Sequence, residues 1–356
     1  MEKLKIAIIG QGRSGRDIHG AFFKTEENTF CQVVAVVEAD AERRERALRE
    51  YPGCQVYADY RELYERKDLD LVVNASFSDD HYPVTKDLLE HKFNVVVEKP
   101  MARNYFECCQ MIRAAEQNGV TLAVFQQSFL APYYRKVKEI LAGDKLGDIK
   151  QISIHFSNFS RRWDWQTLQC RMGGGVYNTG PHPLGFALDL LGFDPEAKVA
   201  FSKLGLGATS GDAEDYAKII LTAPGKPVVD VEISSINAYA NYNILIHGSK
   251  GTLKTTTTAM DLKYYVPEEN TPRPVQYETL KWEEGVPTYC RDDLKMHEEH
   301  YDFAGTAFDA ATHDFYEMLY NKLTKGTPMT VTPEMAARIV NVIETVHGQN
   351  PLPVKY

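Results

Sequence analysis

The sequence has little cysteine, and it has no apolar run long enough to cross a bilayer. No stretch approaches the roughly 20 apolar residues that a membrane-spanning helix needs, and the chain enters its first strand without the apolar segment of a signal peptide. The cysteines show no C-x-x-C pair and no framework spacing, which favours reduced thiols over disulfides. They are Cys31, Cys54, Cys108, Cys109, Cys170 and Cys290. We therefore expect a cytoplasmic protein with no membrane partner.

Positive charge is also in deficit. The chain carries 40 lysines and arginines against 49 aspartates and glutamates, a formal net charge of −9. Because proteins bind nucleic acids mainly by neutralising phosphates, this balance argues against a nucleic acid as the main partner. Hydrophobic residues at 44% and charged residues at 25% are ordinary for a globular protein. A length of 356 residues predicts two domains.

A glycine-rich turn, residues 10–15, follows the first predicted strand, residues 4–9. In its G-x-G-x-x-G pattern the first glycine permits a tight turn, the second lets the backbone approach a pyrophosphate, and the third allows close helix–strand packing. Because the free N–H groups and the dipole of a helix N-terminus favour anions, the turn predicts dinucleotide binding. We expect these residues of the turn to contact the cofactor: Gly10, Gly12, Arg13, Ser14 and Gly15.

An acidic residue ends the second predicted strand. Glu38 lies 23 residues after Gly15, where a carboxylate can accept hydrogen bonds from both adenosine ribose hydroxyls and repel a 2′-phosphate. That position favours NAD over NADP. Arg43 and Arg44 follow closely, but the mixed charges of residues 41–50 favour a solvated helix face for both arginines.

Strands and helices alternate through the first part of the chain, which predicts a doubly wound parallel sheet. From residue 149 the pattern changes to alternating strands rich in Thr, Ile, Ser and Tyr, typical of an antiparallel sheet with one covered face. We therefore predict an α/β protein with a Rossmann domain over residues 1–126. Residues 127–356 should form an α+β domain with an open, mostly antiparallel sheet.

The predicted strand at residues 95–97 ends in Glu98-Lys99-Pro100. Ligands of open parallel sheets bind beyond the carboxyl ends of the strands, so this amine lies where chemistry is usually done. The alternative is a solvated pair of opposite charges in a loop. The loop after the predicted strand at residues 71–75 should border the nicotinamide half of the cofactor. We place these side chains near the cofactor: Asn74, Ser76, His81, Glu98 and Lys99.

A glycine run, residues 173–175, opens a predicted helix that extends to about Leu191. Three glycines cost much backbone entropy, and such a run is better tolerated where a ligand or another backbone approaches closely. On this helix Asn178 and His182 are four residues apart and should share a face. A single histidine is more often structural than catalytic. Because this one follows the glycine run in a chain that needs a proton-transfer group, we favour catalysis.

Taken together, these motifs resemble the Gfo/Idh/MocA oxidoreductases, the family of glucose–fructose oxidoreductase and inositol dehydrogenase. The resemblance rests on the glycine-rich turn, on Glu98-Lys99-Pro100, and on the glycine run through His182, in that order along the chain. It covers essentially the whole chain. Further matches lie at Asp164-Trp165, at residues 247–252 and at residues 326–332.

The resemblance implies a C-terminal domain that binds substrate and whose open sheet often mediates homodimers or homotetramers. It also implies a cis Lys99–Pro100 bond and a catalytic pair of Lys99 and His182 beside the nicotinamide. The family usually has an aspartate where this chain has Asn178. A neutral amide can orient an imidazole but cannot stabilise its cation, so the change moves some of the proton transfer to Lys99.

The main functional hypothesis is hydride transfer between a CH–OH carbon of a sugar or polyol and the nicotinamide of NAD, with Lys99 and His182 as the acid–base pair. A second hypothesis keeps these residues but uses the hydride transiently, as in a redox-neutral NAD-dependent glycosidase. A third is a non-catalytic, cofactor-binding sugar sensor, which would not need an acid–base pair.

Residues 161–165 are a candidate wall for a sugar, polyol or sugar-acid substrate, because aromatic faces and guanidinium groups suit sugar rings and carboxylates. Core or subunit packing is the alternative for the tryptophans. We place these side chains near the substrate: Arg161, Trp163, Trp165, Asn178 and His182.

A histidine pair near the end of the chain invites a metal-site interpretation. His297 and His300 would supply two imidazoles at helical spacing. No nearby cysteine or third histidine completes a ligand set, so we expect no metal. These two histidines, or His313, could instead reach the substrate.

Overall fold

A parallel sheet organises the first part of the chain. The structure, a computed structural model, describes residues 3–281, 284–285, 287–289, 291–304 and 309–356, the side chain of Asp309 excepted. The strands of this sheet are β1 (Leu4–Ile9), β2 (Cys31–Val37), β3 (Gln55–Tyr57), β4 (Leu71–Asn74), β5 (Val95–Val97) and β6 (Leu122–Val124). Their order is β3-β2-β1-β4-β5-β6 and all neighbours are parallel. This is the order of dinucleotide-binding sheets, so the predicted Rossmann fold is confirmed.

The helices follow the predicted alternation closely. They are α1 (Gly20–Phe23), α2 (Ala41–Glu50), α3 (His81–Glu90), α4 (Tyr105–Asn118), α5 (Pro132–Leu141), α6 (Gly175–Asn178), α7 (Pro181–Leu190), α8 (Asp309–Lys325) and α9 (Pro333–Gln349). Shorter segments are the π-helical Arg13–His19 and the 3-10 turns Tyr60–Glu65, Ser78–Asp80, Gln127–Leu130, Trp165–Thr167, Gln169–Arg171 and Pro267–Glu269.

Local capping explains where the helices begin and end. α4 begins after Asn104, whose side chain accepts a hydrogen bond from the Glu107 N–H, and it ends at Gly119 with φ 67°. α9 begins after Thr332, whose hydroxyl accepts a hydrogen bond from the Met335 N–H at 3.3 Å.

A second, mostly antiparallel sheet forms the later part of the described chain. Its strands are β7 (Ile149–Ser157), β8 (Lys198–Gly205), β9 (Tyr216–Thr222), β10 (Val228–Ser234), β11 (Ile244–Gly248), β12 (Gly251–Thr255), β13 (Ala259–Tyr265) and β14 (Met296–Asp302). Their order is β14-β13-β12-β11-β7-β10-β9-β8, and only the β7–β10 pair is parallel among these strands. The predicted open, mostly antiparallel sheet is therefore confirmed.

The last two helices pack against the first sheet. Phe315 and Tyr316 of α8 lie in the core cluster that covers one face of β1, and Ala337 and Val340 of α9 lie in the cluster on the opposite face. The two domains predicted from the sequence therefore share a packed core, and the boundary at residue 127 stays a prediction.

The histidine pair does not lie on a helix. His297 and His300 belong to β14, the outermost strand, and three residues along a strand put them on opposite faces. His297 lies 3.1 Å from a Glu269 carboxylate oxygen, and His300 lies 2.8 Å from one of Asp261. The helical spacing inferred from the sequence is therefore wrong, because exposed polar residues alternate along this edge strand without an apolar period.

His313 lies on α8, and its ring packs edge-on against Phe22 and Phe30. Among the described helices, none combines the length and the apolar character needed to cross a membrane.

Candidate active site

The glycine-rich turn has the geometry of a dinucleotide site. Gly10 has φ 89°, and a Cβ there would lie 2.4 Å from the Ala75 carbonyl oxygen. A Cβ on Gly15 would lie 2.0 Å from the Gly10 carbonyl oxygen, so both positions require glycine. A Cβ on Gly12 would meet no heavy atom of the described residues within 4 Å. The open space in front of Gly12 fits the approach of a pyrophosphate, and the residues present fit a dinucleotide cofactor.

Glu38 connects this turn to the end of β2. One carboxylate oxygen accepts a hydrogen bond from the Gln11 N–H at 2.8 Å, and the other accepts from the Asp40 N–H at 3.1 Å. The arginines that follow are closer than predicted. A guanidinium nitrogen of Arg43 lies 3.6 Å from the Glu38 carboxylate, and Arg44 donates to the Glu38 carbonyl at 2.6 Å. Arg43 is exposed, as predicted for a solvated helix face, whereas Arg44 is half-buried against the backbone, because the turn of the chain after β2 folds the start of α2 back onto Glu38.

Asn74 and His81 lie behind the wall of the predicted cofactor cleft. Asn74 is fully buried; its side-chain oxygen accepts from the hydroxyl of Ser76 at 2.7 Å, and its amide donates to the Thr85 hydroxyl at 2.9 Å. His81 is also buried, with Nδ1 2.7 Å from the Pro100 carbonyl oxygen. Both side chains therefore support the cleft from inside, and their contact with a cofactor stays a prediction.

The side chain of Glu98 turns into the core. One oxygen lies 3.1 Å from Nε2 of His19, and the other accepts from the Lys99 N–H at 3.0 Å. The Lys99–Pro100 bond is cis, as the resemblance implied. Burial alone would raise the pKa of Glu98, but the hydrogen bond and charge of His19, with the charges of Lys99 and His81, lower it to about 2. Glu98 is therefore an ionised group beneath the turn.

The amine of Lys99 reaches from the first sheet to the glycine-run segment. Its Nζ donates to the carbonyl oxygen of Asn178 at 2.6 Å. Burial lowers the pKa of this amine, and the charges of Arg13 and Arg162 lower it further, whereas Glu98 opposes them. Because its pKa is lowered, a larger fraction of the amine is unprotonated near neutral pH, and the unprotonated amine can accept a proton.

The glycine run is followed by two helices instead of one. α6 ends at Asn178 and α7 begins at Pro181, so a single helix to Leu191 is wrong. Pro181 has no N–H with which to continue the hydrogen bonds of α6. Asn178 and His182 consequently do not share a helix face, and the Asn178 side-chain oxygen instead accepts from Gln166 Nε2 at 3.2 Å.

A buried carboxylate paired with a half-buried histidine supports the glycine run. Gly174 has φ 102°, and a Cβ there would lie 2.4 Å from a carboxylate oxygen of Glu214. Glu214 accepts from the Val176 N–H at 2.9 Å and lies 3.3 Å from His347 Nε2 on α9. Burial opposes protonation of His347, but the hydrogen bond and charge of Glu214 raise its pKa. The sequence analysis missed this pair, because the three segments are remote along the chain.

His182 is held by a residue that the sequence did not indicate. Its Nδ1 lies 2.9 Å from the hydroxyl oxygen of Ser128, in the 3-10 turn after β6, and its ring stacks on Phe156. Burial, with the nearby charge of Lys99, lowers the pKa of His182 to about 3. The imidazole is therefore neutral at physiological pH. Ser128 follows the change of sequence period near residue 126 but belongs to no motif.

The predicted substrate wall divides into inner and outer residues. Trp165 packs edge-on against Phe77, with 5.1 Å between the ring centroids, and Arg162 pairs with Asp164 at 2.5 Å. Trp163 is 76% exposed, and Arg161 is exposed as well. Arg162, rather than Arg161, lies close enough to Lys99 for its charge to lower the pKa of the lysine amine.

Two parts of the chain match known family models. Residues 4–126 match an oxidoreductase family with an NAD-binding Rossmann fold, and residues 134–254 match the GFO/IDH/MocA C-terminal domain. The chain belongs to the Gfo/Idh/MocA oxidoreductase family. Membership agrees with the geometry of the glycine-rich turn described above and places this chain among the oxidoreductases with an NAD-binding Rossmann fold.

The relatives of this Gfo/Idh/MocA protein differ in the activities that their names give. Inositol 2-dehydrogenase of Burkholderia multivorans is 28% identical over 246 residues, 68% of this chain and 70% of that protein. The 2,7-anhydro-N-acetylneuraminate hydratase of Mediterraneibacter gnavus is 24% identical over 266 residues, 71% of this chain and 67% of that protein. The crystal structure of GenD2 from gentamicin A biosynthesis, in complex with NAD, has a TM-score of 0.76 at 19% identity, covering 98% of this chain and 94% of that one.

Proposed function

We propose that this protein is an NAD-dependent dehydrogenase that oxidises a CH–OH carbon of a sugar or polyol. The observation that carries the proposal is the 2.6 Å hydrogen bond from Lys99 Nζ to the Asn178 carbonyl. It joins the lysine at the end of a cofactor-domain strand to the segment that leads into His182. A bound nicotinamide would supply the hydride acceptor for this site.

Proton transfer falls to Lys99 rather than to His182. With a pKa of about 3, His182 stays neutral and binds the reacting hydroxyl through the ring nitrogen that does not face Ser128. The lowered pKa of Lys99 suits it to remove the hydroxyl proton as the hydride leaves. Asn178 acts through its backbone carbonyl, which orients the lysine amine. This division of roles agrees with the absence of the family's usual aspartate at position 178.

The cofactor preference follows from Glu38. Its carboxylate lies at the end of β2 and favours the unmodified ribose of NAD, whereas a 2′-phosphate would be repelled. Arg43 at 3.6 Å is the feature that supports NADP as the less favoured cofactor, because its guanidinium could turn toward a phosphate.

The substrate class rests on the inositol dehydrogenase relative and on the wall beside the cleft. Trp165 supplies an aromatic face for a sugar ring, and Arg162 supplies a cation that would suit a sugar acid. We propose a sugar, polyol or sugar acid as the substrate.

The test is a screen of polyols, aldoses, uronates and glycosides with NAD and NADP, followed through reduced nicotinamide. On the best substrate, Lys99→Met should lower kcat by about 100-fold or more, the size expected for losing a general base. Lys226→Met, an exposed lysine replaced in the same way, is the control and should leave kcat unchanged. Wild-type turnover should rise with pH as the amine of Lys99 loses its proton. Near-normal turnover by Lys99→Met would contradict the proposal.

The hydratase relative favours a second candidate, a reaction in which the hydride is returned and no net oxidation occurs. A glycosidase of this kind would use the same lysine and histidine, because oxidation of a ring carbon acidifies the neighbouring C–H. Glycoside cleavage without accumulation of NADH would support it over the dehydrogenase.

We also propose a homodimer or homotetramer that pairs through the open face of the second sheet. In β10, Val229 and Val231 face the covered side, whereas Asp230 and Glu232 face the other, with Lys218 of β9 2.7 Å from Asp230. In the described chain, α7 packs on the apolar side of this strand. Light scattering would reveal the assembly, and a monomer at all concentrations would contradict it. A cytoplasmic location stays a prediction from the cysteine pattern.

A further inference from the structure

A fully buried histidine lies beneath the lysine, and the proposed mechanism does not use it. His19 is 0% exposed and ends the π-helical segment that follows the glycine-rich turn. Its Nδ1 lies 2.7 Å from the hydroxyl oxygen of Tyr316 on α8, and its Nε2 lies 3.1 Å from a carboxylate oxygen of Glu98. The other oxygen of that carboxylate accepts from the Lys99 N–H at 3.0 Å. Three segments that are remote in the sequence therefore meet in one chain of hydrogen bonds, which ends at the backbone N–H of Lys99.

The surroundings of His19 are aromatic. Phe125 lies 4.2 Å away between ring centroids, and Phe23 stacks at 6.5 Å. A carboxylate and an imidazole in such a core need mutual hydrogen bonds to offset their lost hydration. Well-packed apolar residues of similar volume would serve stability as well or better. Stability alone therefore does not account for the network.

The hydrogen bonds determine which nitrogen of His19 carries the proton. An ionised Glu98 can only accept, so Nε2 of His19 must donate to it. Tyr316 can then donate its hydroxyl hydrogen to Nδ1. Every polar atom in the chain from Tyr316 to Glu98 then has a hydrogen-bond partner.

We propose that His19, held by Tyr316, is a positioning residue that keeps the charged carboxylate of Glu98 beside Lys99. The role rests on the proposed function, in which Lys99 accepts the substrate proton. The groups that face the carboxylate are His19, His81 and Lys99. The amine of Lys99 additionally senses Arg13 and Arg162, both of which favour its neutral form. Glu98 is the anion that opposes them, so losing its charge makes the amine less basic.

The test measures the titration of Lys99 directly. In the full-length protein, each lysine is acylated briefly over a range of pH, and the labelled fraction of the Lys99 peptide is read by mass spectrometry. His19→Leu removes the donor that holds Glu98, so the carboxylate is no longer fixed beside Lys99 and the midpoint for Lys99 falls by about one pH unit. His19→Gln keeps an N–H that can reach Glu98 and should restore the wild-type midpoint. The exposed Lys226 is the internal control and should not shift in either variant.

A midpoint for Lys99 that is unchanged or higher in His19→Leu would overturn the proposal, because a purely structural histidine would lower stability without moving the lysine. Tyr316→Phe removes only the hydroxyl that orients His19 and should shift the midpoint in the same direction by a smaller amount. If His19→Leu does not fold, Tyr316→Phe decides by the same criterion. The labelling needs neither cofactor nor substrate, so its outcome is independent of whether the dehydrogenase assay succeeds.

Discussion

Replacing Gly12 by alanine should stabilise the free protein and weaken its cofactor binding, two effects of opposite sign from one methyl group. Gly12 has φ −77° and ψ −160°, a backbone conformation open to any residue. A Cβ at this position would meet no heavy atom within 4 Å in the part of the chain that the structure describes. Alanine therefore fits the free protein. Its methyl group occupies the space through which the backbone would approach a pyrophosphate.

The sizes of the two effects predict that the order of stability of the wild type and the variant reverses when NAD is added. Gly→Ala at a compatible position raises the free energy of unfolding by about 0.4–1 kcal/mol, because it restricts the unfolded chain. NAD at 100 times its Kd stabilises the wild type by about 2.7 kcal/mol. If the methyl group weakens binding 100-fold, the same concentration stabilises the variant by only about 0.4 kcal/mol. The variant should thus be the more stable protein without NAD and the less stable one with it.

Urea unfolding with and without NAD measures both effects, and a titration of NADH fluorescence gives the change in Kd. Gly15→Ala is the matched control within the same turn. Its Cβ would lie 2.0 Å from the Gly10 carbonyl oxygen, so this variant should lose stability in both conditions. A Gly12→Ala variant that binds NADH as tightly as the wild type would refute the placement of the pyrophosphate over Gly12.

Two further predictions concern the support of the glycine run. Gly174→Ala should lower the free energy of unfolding by about 3 kcal/mol or more in a urea assay, because φ is 102° and the new Cβ would lie 2.4 Å from Glu214. The control Gly348→Ala, at a helical position, should raise the free energy of unfolding by about 0.5–1 kcal/mol in the same assay. Equal stabilities of the two variants would contradict the close contact at Gly174. The raised pKa of His347 means that its ion pair with Glu214 contributes fully below the pKa of an unfolded histidine and is lost as pH rises through the folded value. The urea midpoint of the wild type should accordingly fall over that range relative to His347→Gln, and parallel pH curves would count against the ion pair.

The dinucleotide-binding half was predictable because its signals are local. Gly10, Gly12 and Gly15 lie within six residues. Close contacts with Ala75 and Gly10 require glycine at positions 10 and 15, and Gly12 leaves open space for a pyrophosphate. Apart from the short edge strand β3, the strands of the first sheet are mostly buried and mostly apolar, so each can be identified without knowing its neighbours. Glu38 follows one of these runs directly, and Lys99 follows another with one residue between.

The second sheet was predicted less completely. The strands β8, β13 and β14 of this sheet were not identified from the sequence, and neither was the edge strand β3 of the first sheet. β14 shows the reason most clearly, because it is an edge strand whose residues are mostly polar and whose burial alternates only between intermediate and exposed. Without an apolar period, two histidines three residues apart looked like a helical metal pair. Only the pairing of β14 with β13 shows that they point to opposite faces.

The sequence by itself determined the fold class, the position of the cofactor turn and the lysine at a strand end. Those features depend on short windows in which backbone preferences and burial period agree. Only the tertiary structure decided the partners: Ser128 for His182, the Asn178 carbonyl for Lys99, and His19 for Glu98. These partners are about 50 to 80 residues apart in the sequence. No local pattern encodes such a contact, because it forms only when both sheets pack against the helices they share.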